Sequence, residues 1–144
     1  MKLIGLASDH AGYELKKTVK QWLDAKGWDY KDFGTYSTDS CDYPDFAHPL
    51  ADAVSKDVTA RGILICGTGN GVAITANKHA NVRAALCWNH DIAALARQHN
   101  DANVLALPAR FIDQATAFDL ISTFFNTSFE GGRHERRVSK INIQ

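Results

Sequence analysis

The chain has 144 residues, 45% of them hydrophobic, and its 16 Lys and Arg are balanced by 16 Asp and Glu. That length suits one globular domain over residues 1–144, with a core that needs no disulfide or metal to hold it. Zero formal charge excludes the global basic excess of a nucleic-acid or membrane-surface protein, and the composition fits neither a disordered nor a collagen-like chain.

The elements follow in chain order. Lys2 to Ala7 reads as a strand that enters Asp9-His10-Ala11-Gly12. From Tyr13 to Lys26, Leu15, Val19, Trp22 and Leu23 fall at helical spacing, and Gly27 supplies the stop. Trp28 to Phe33 is a second strand, and the polar stretch from Gly34 to Pro44 is a loop. Asp45 to Val58 returns to helical periodicity through Phe46, Leu50, Ala53, Val54 and Val58. Gly62 to Cys66 is a continuous apolar run, the pattern of a strand buried on both faces. It opens into Gly67-Thr68-Gly69-Asn70-Gly71 and a helix over Val72 to His79. A strand over Val82 to Cys87, a helix over Asn89 to His99, a strand over Val104 to Leu107 and a helix over Asp113 to Phe125 complete the alternation. The tail from Gly131 is basic and compatible with a further helix.

Strand and helix alternating five times predict the α/β class, specifically a Rossmann-like three-layer αβα sandwich with a five-stranded parallel sheet. Ligands in such sheets bind beyond the carboxyl ends of the strands, where the strand order reverses. The residues to watch are therefore Ser8 to His10, Cys66 to Gly71, Trp88 to His90, and Pro108 to Arg110. No apolar run approaches the roughly 20 residues of a membrane span, and no secretory leader is evident. Cys41, Cys66 and Cys87 are odd in number and widely spaced, with no CxxC or HxxxH pair to suggest structural zinc. A reduced, cytoplasmic protein is the expectation.

Gly67, Gly69 and Gly71 at alternate positions permit a tight turn whose amides point into one concavity, a nest for negative charge. It is not a dinucleotide fingerprint: the spacing is G-x-G-x-G, and no acidic residue ends the next strand to hold a ribose. Cys66 precedes the nest, where a helix N-terminus favours a thiolate able to act as nucleophile or base. Cys41 and Cys87 read as ordinary cysteines. Asp9-His10 shares the rim with Cys66, as an acid/base couple or, with Asp9 capping, as a helix start. His99 near a helix C-terminus has a structural explanation as a favourably placed cation. His48, His79 and His90 read as surface residues. Arg133 and Arg137 stand four apart, so on a helix they share a face able to grip one phosphate. A small phosphorylated ligand reconciles this local basic cluster with global neutrality.

Asp9-His10-Ala11-Gly12, Asp42-Tyr43-Pro44, Cys66-Gly67-Thr68-Gly69-x-Gly71, Arg97-x-His99-Asn100-Asp101 and Glu130-Gly131-Gly132-Arg133-His134 occur in this order. Together they resemble the ribose/galactose isomerase family, and within it the type B ribose 5-phosphate isomerases, over nearly the whole chain. The resemblance implies a metal-free and cofactor-free aldose–ketose isomerase of the pentose phosphate pathway, interconverting ribose 5-phosphate and ribulose 5-phosphate through an enediolate. It implies Cys66 as the base between C2 and C1, Thr68 beside the reacting oxygens, and His99 as ring opener with help from Asp9. Backbone amides from Gly67 to Gly71, with those of Gly69 and Asn70 among them, would form the anion hole. His10, Arg133 and Arg137 would hold the phosphate, with Arg110 and His134 as further contacts, while Tyr43 and Asn100 would touch the sugar. It also implies a homodimer or homotetramer in which His99, Asn100 and Arg110 reach the neighbouring subunit's site. Neither nucleic acid nor membrane is an expected partner. Asn70 stands where many relatives carry an apolar residue, and Pro108-Ala109 replaces a glycine often found before the arginine. These departures leave open a six-carbon substrate such as allose 6-phosphate or galactose 6-phosphate. A catalytically silent sugar-phosphate sensor is the reading from another class, and Cys66, Thr68 and His99 together argue against it.

Overall fold

A computed structural model describes residues 3–143, so Lys2 of the expected first strand lies outside the described residues. Five strands alternate with helices: β1 (Ile4–Ser8), α1 (Tyr13–Lys26), β2 (Tyr30–Asp32), α2 (Pro44–Ser55), β3 (Arg61–Cys66), α3 (Asn70–Ala76), β4 (Ala84–Leu86), α4 (His90–Gln98), β5 (Val104–Pro108), α5 (Gln114–Asn126) and α6 (Arg133–Ser139). All pairings are parallel, in the order β2-β1-β3-β5-β4. This is the expected three-layer α/β architecture.

The strands show why both sides of the sheet are covered. Ile4 and Leu6, Ile63 and Ile65, Leu105 and Leu107 face one layer, where Val19, Leu23, Ala93, Ala96, Leu120 and Phe124 pack on them. Ala7, Leu64, Cys66, Val104 and Ala106 face the other, against Ala47, Leu50, Val54, Val72 and Ala76. Alternate residues of each strand thus enter opposite cores, as a two-faced parallel strand requires. A single crossover hand explains which helix lies where. The connections through α1 and α4 step one way along the sheet, and those through α2 and α3 step the other way. The first pair therefore covers one face and the second pair the opposite face. The chain reverses between β1 and β3, so the crevice at their carboxyl ends falls between Ser8 and Cys66.

Element ends differ from expectation where side chains capture backbone groups. The third helix stops at Ala76 instead of His79: Asn77 accepts the Ala84 N–H at 2.8 Å and donates to the Ala84 carbonyl at 3.0 Å. The fourth strand starts at Ala84 instead of Val82, because Asn103 Oδ1 takes the Arg83 N–H at 2.8 Å. Among the described residues no helix is long and apolar enough to cross a membrane.

Candidate functional site

The end of β1 is fixed first. Asp9 Oδ1 accepts the Gly12 N–H at 3.1 Å, closing the turn into α1, so this carboxylate serves the local fold. His10 Nδ1 accepts the Cys41 N–H at 3.2 Å. An imidazole nitrogen that accepts leaves the proton on Nε2, so a neutral His10 presents a donor suited to an anion. Cys41 is otherwise half-buried, with Sγ 3.8 Å from the same nitrogen.

The loop after β3 is the second wall. Cys66 is 4% exposed, and its Sγ accepts the Gly69 N–H at 3.1 Å. Thr68 Oγ1 accepts the Asn70 N–H at 3.2 Å. Two amides of the expected anion hole are thus engaged within the loop, one of them by the thiol. Gly69 has φ 76°, and a Cβ there would also collide with Leu86, so only glycine makes this turn. At Gly71 the constraint is proximity: a Cβ would lie 2.7 Å from the Tyr43 ring, which packs flat against the bare backbone. Arg110 is held over the loop by its own N–H, which donates to the Gly67 carbonyl at 3.1 Å.

These groups converge on one open hollow of about 230 Å³ lined by Asp9, His10, Ala11, Tyr43, Cys66, Gly67, Thr68, Gly71 and Arg110. Gly69 and Asn70 shape it without lining it, and the Asn70 side chain is exposed. Trp88 and His90 are absent from it because β4 is the far edge of the sheet. His90 instead meets Asp119 at 3.1 Å, and His48 meets His79 at 2.7 Å, both on the surface. Cys87 is sealed in the core, and burial pushes its thiol up to about 12, which removes it as a nucleophile.

His99 and Asn100 lie elsewhere. With His134, Arg137, Val138 and Ile141 they line a second hollow of about 350 Å³ that shares no residue with the first. Arg97, 3% exposed, fixes this corner: it donates to Asp101 at 2.8 Å and to the Thr127 carbonyl at 3.1 Å. The His99 and His134 rings stack with centroids 4.2 Å apart and an 11° tilt. Burial, then the neighbouring His99 and Arg133, lower the His134 pKa. Arg133 and Arg137 are both exposed on α6, four apart as expected, although Arg133 lines neither hollow. Arg110, expected beside His99, groups instead with Cys66 of its own chain. Glu130 was assigned no role by its sequence, yet its carboxylate lies 3.4 Å from His134 Nε2 and 4.0 Å from His99 Nε2. The sequence hints were its place at the head of the basic tail and in the motif Glu130-Gly131-Gly132-Arg133-His134.

Strand order, the buried thiol and the glycine loop at the switch point define an α/β protein with one candidate ligand crevice at its strand ends. The Ribose/Galactose Isomerase family profile matches residues 4–141, and the chain belongs to that family. A ribose 5-phosphate isomerase structure from Thermotoga maritima is 50% identical, covers 97% of each chain and superposes with a TM-score of 0.95. Ribose-5-phosphate isomerase B from Mycoplasma genitalium, solved with bound ribulose-5-phosphate, is 47% identical over 96% of this chain and 93% of its own, with a TM-score of 0.92. Ribose-5-phosphate isomerase B of Escherichia coli is 42% identical over 98% of this chain and 95% of its own.

Proposed function

We infer that this chain is an aldose–ketose isomerase that interconverts ribose 5-phosphate and ribulose 5-phosphate, a step of the pentose phosphate pathway, without a metal or cofactor. The observation that carries the reading is Cys66, a nearly buried thiol held by Gly69 N–H at 3.1 Å in a hollow with His10, Thr68 and Arg110. The relative from Mycoplasma genitalium, which holds ribulose-5-phosphate, supports the choice of sugar.

The Cys66 thiolate takes the proton from C2 of the open aldose, and the C1 oxygen becomes the enediolate oxygen. Loop amides and Thr68 receive that charge, preorganised donors being worth most where charge develops. The hydroxyl proton moves from O2 to O1 and the same thiol returns its proton to C1, leaving a hydroxyl at C1 and the carbonyl at C2, so no electrons enter or leave. His99 opens the furanose, moving a proton from the anomeric hydroxyl to the ring oxygen. His10 and the basic residues of α6, Arg133 and Arg137, hold the phosphate, whose binding energy orients the sugar.

One chain presents Cys66 and His99 in separate hollows. A homodimer in which His99, Asn100 and the α6 residues of one copy face Cys66 of the other supplies a complete site, with Arg110 acting on its own chain's side. The deciding experiment compares ribose 5-phosphate, allose 6-phosphate and galactose 6-phosphate in a coupled turnover assay and follows C2-proton exchange in deuterated buffer. Fastest turnover on ribose 5-phosphate is expected. Preference for a six-carbon sugar would overturn the substrate, and binding without exchange would overturn the enzyme.

A further inference from the structure

We propose that His99, Glu130 and His134 form a binding site for a transition-metal dication of the zinc and cobalt type, and that its occupation silences the isomerase by withdrawing His99 from proton transfer. The silencing rests on the function proposed above; the binding does not.

The donor set comes first. Two imidazoles and one carboxylate are a combination that borderline dications accept, whereas hard ions such as calcium prefer all-oxygen cages. Their ligand atoms all lie within 4.8 Å of one another. Two donors on a tetrahedral zinc, each bonded at about 2.0–2.1 Å, stand about 3.4 Å apart. His134 Nε2 and Glu130 Oε1 are 3.4 Å apart, already the edge of such a tetrahedron. His99 Nε2 is 4.0 Å from the same oxygen on a side chain 41% exposed, so the freer ring can leave its stack on His134 and turn its in-plane lone pair to the third position. The fourth is left to solvent.

A second observation is independent of the spacing. His134 Nε2 is buried with no hydrogen-bond partner among the described residues, the Glu130 carboxylate lying 3.4 Å away without the geometry of a hydrogen bond. Buried imidazole nitrogens are ordinarily satisfied, and an unsatisfied one beside a carboxylate is open to a ligand. The backbone keeps the group together: Glu130 N–H donates to the Gln98 carbonyl at 3.1 Å, beside the end of α4 that carries His99. The stack keeps both Nε2 atoms near one carboxylate, from which the exposed His99 ring is the one free to turn. Arg133 and Arg137, exposed on α6, oppose a cation here and limit its affinity.

The test titrates the reduced, chelator-treated full chain with Co²⁺ and reads visible absorption, calorimetry and isomerase activity together. Expected are one ion per chain, ligand-field bands of nitrogen and oxygen ligation without a thiolate-to-cobalt charge-transfer band, and activity that falls with occupancy and returns with chelator. Glu130→Gln should keep its activity, lose the inhibition and bind Co²⁺ at least about tenfold more weakly, a factor that even outer-shell partners command. No saturable uptake, unchanged uptake by Glu130→Gln, or a thiolate band would overturn the site. Uptake that depends on Glu130 but leaves activity intact would overturn the silencing. A chain that binds Co²⁺ through Glu130 yet isomerises no sugar phosphate would sustain the site and refute the proposed function instead.

Discussion

Replacing Cys66 by alanine removes two things, and the structure separates them. The first is the base. General base catalysis contributes about 10²–10⁴-fold, or roughly 2.7–5.4 kcal/mol of barrier, so turnover should fall by that factor. The second is the acceptor for Gly69 N–H, now 3.1 Å from Sγ in a residue 4% exposed. An orphaned donor costs about 1–3 kcal/mol of stability, toward the low end here because the hollow is open to water. Cys66→Ser keeps an acceptor but offers a much poorer base at neutral pH. It should therefore unfold near the wild-type urea midpoint while losing turnover as fully as the alanine variant. Coupled turnover of ribose 5-phosphate, C2-proton exchange and urea denaturation on all three proteins make the comparison. Turnover of Cys66→Ala within about tenfold of wild type would refute the assignment, because a lost base cannot cost so little. The base would then have to be Asp9 or His10, the remaining carboxylate and imidazole in that hollow.

Arg133→Ala should weaken sugar-phosphate binding by about 1.5–3 kcal/mol, the worth of a charge-assisted hydrogen bond, and equal losses for phosphorylated and free sugar in calorimetry would remove the phosphate role. Mixing Cys66→Ala with His99→Ala protein should restore activity through hybrid sites, and no recovery after proven subunit exchange would count against a shared site. Lys16, 1% exposed and bonded to Asp32 at 2.6 Å and to the Thr35 carbonyl at 2.6 Å, should cost about 3–5 kcal/mol of stability as Lys16→Met, read from urea midpoints. Burial alone would raise the Asp32 carboxyl, but hydrogen bonds from Lys16, Gly34 N–H and Lys20 outweigh it and hold the pKa below its usual value. A depressed carboxylate stabilises above its unfolded pKa and loses that contribution as pH falls through the folded one. Asp32→Asn should accordingly be less stable than wild type at pH 7 and show a flatter decline below about pH 4, measured by thermal melts across that range.

The periodicities were enough for the architecture because each strand had to satisfy two cores at once. Ile63-Leu64-Ile65-Cys66 is unbroken apolar sequence, and only a strand covered on both faces accommodates it. Asp9, Cys66 and the glycine loop were legible for the same reason: strand ends are where such sheets bind ligands, and strand ends are readable. What stayed hidden was distance between segments. Nothing in the spacing of Glu130, His134 and His99 reports that two rings stack and share one carboxylate, since that depends on how the segment after α5 folds back onto α4. Nor could the sequence tell which side Arg110 serves. Its N–H donates to the Gly67 carbonyl because β5 lies beside β3, a neighbour relation fixed by strand order and not by motif. Nor does the motif report that Cys66 and Thr68 each claim one amide of the expected anion hole.

The separation of the two hollows follows from the topology. Parallel strands deliver their carboxyl ends to one rim, so Asp9, Cys66 and Arg110 arrive together. His99 ends a helix, and α4 runs antiparallel to the strands, so its C-terminal end returns toward their amino ends. An imidazole placed there cannot reach the thiol of its own chain without spanning the length of the strands. The proposed dimer resolves this by setting the helix-end group of one copy against the strand-end rim of the other. The same logic ties the two proposals together. A metal held by His99 and His134 would disable the neighbour's Cys66 hollow while leaving that hollow's own residues untouched, so the loss in a mixed dimer should track the copy that supplies His99.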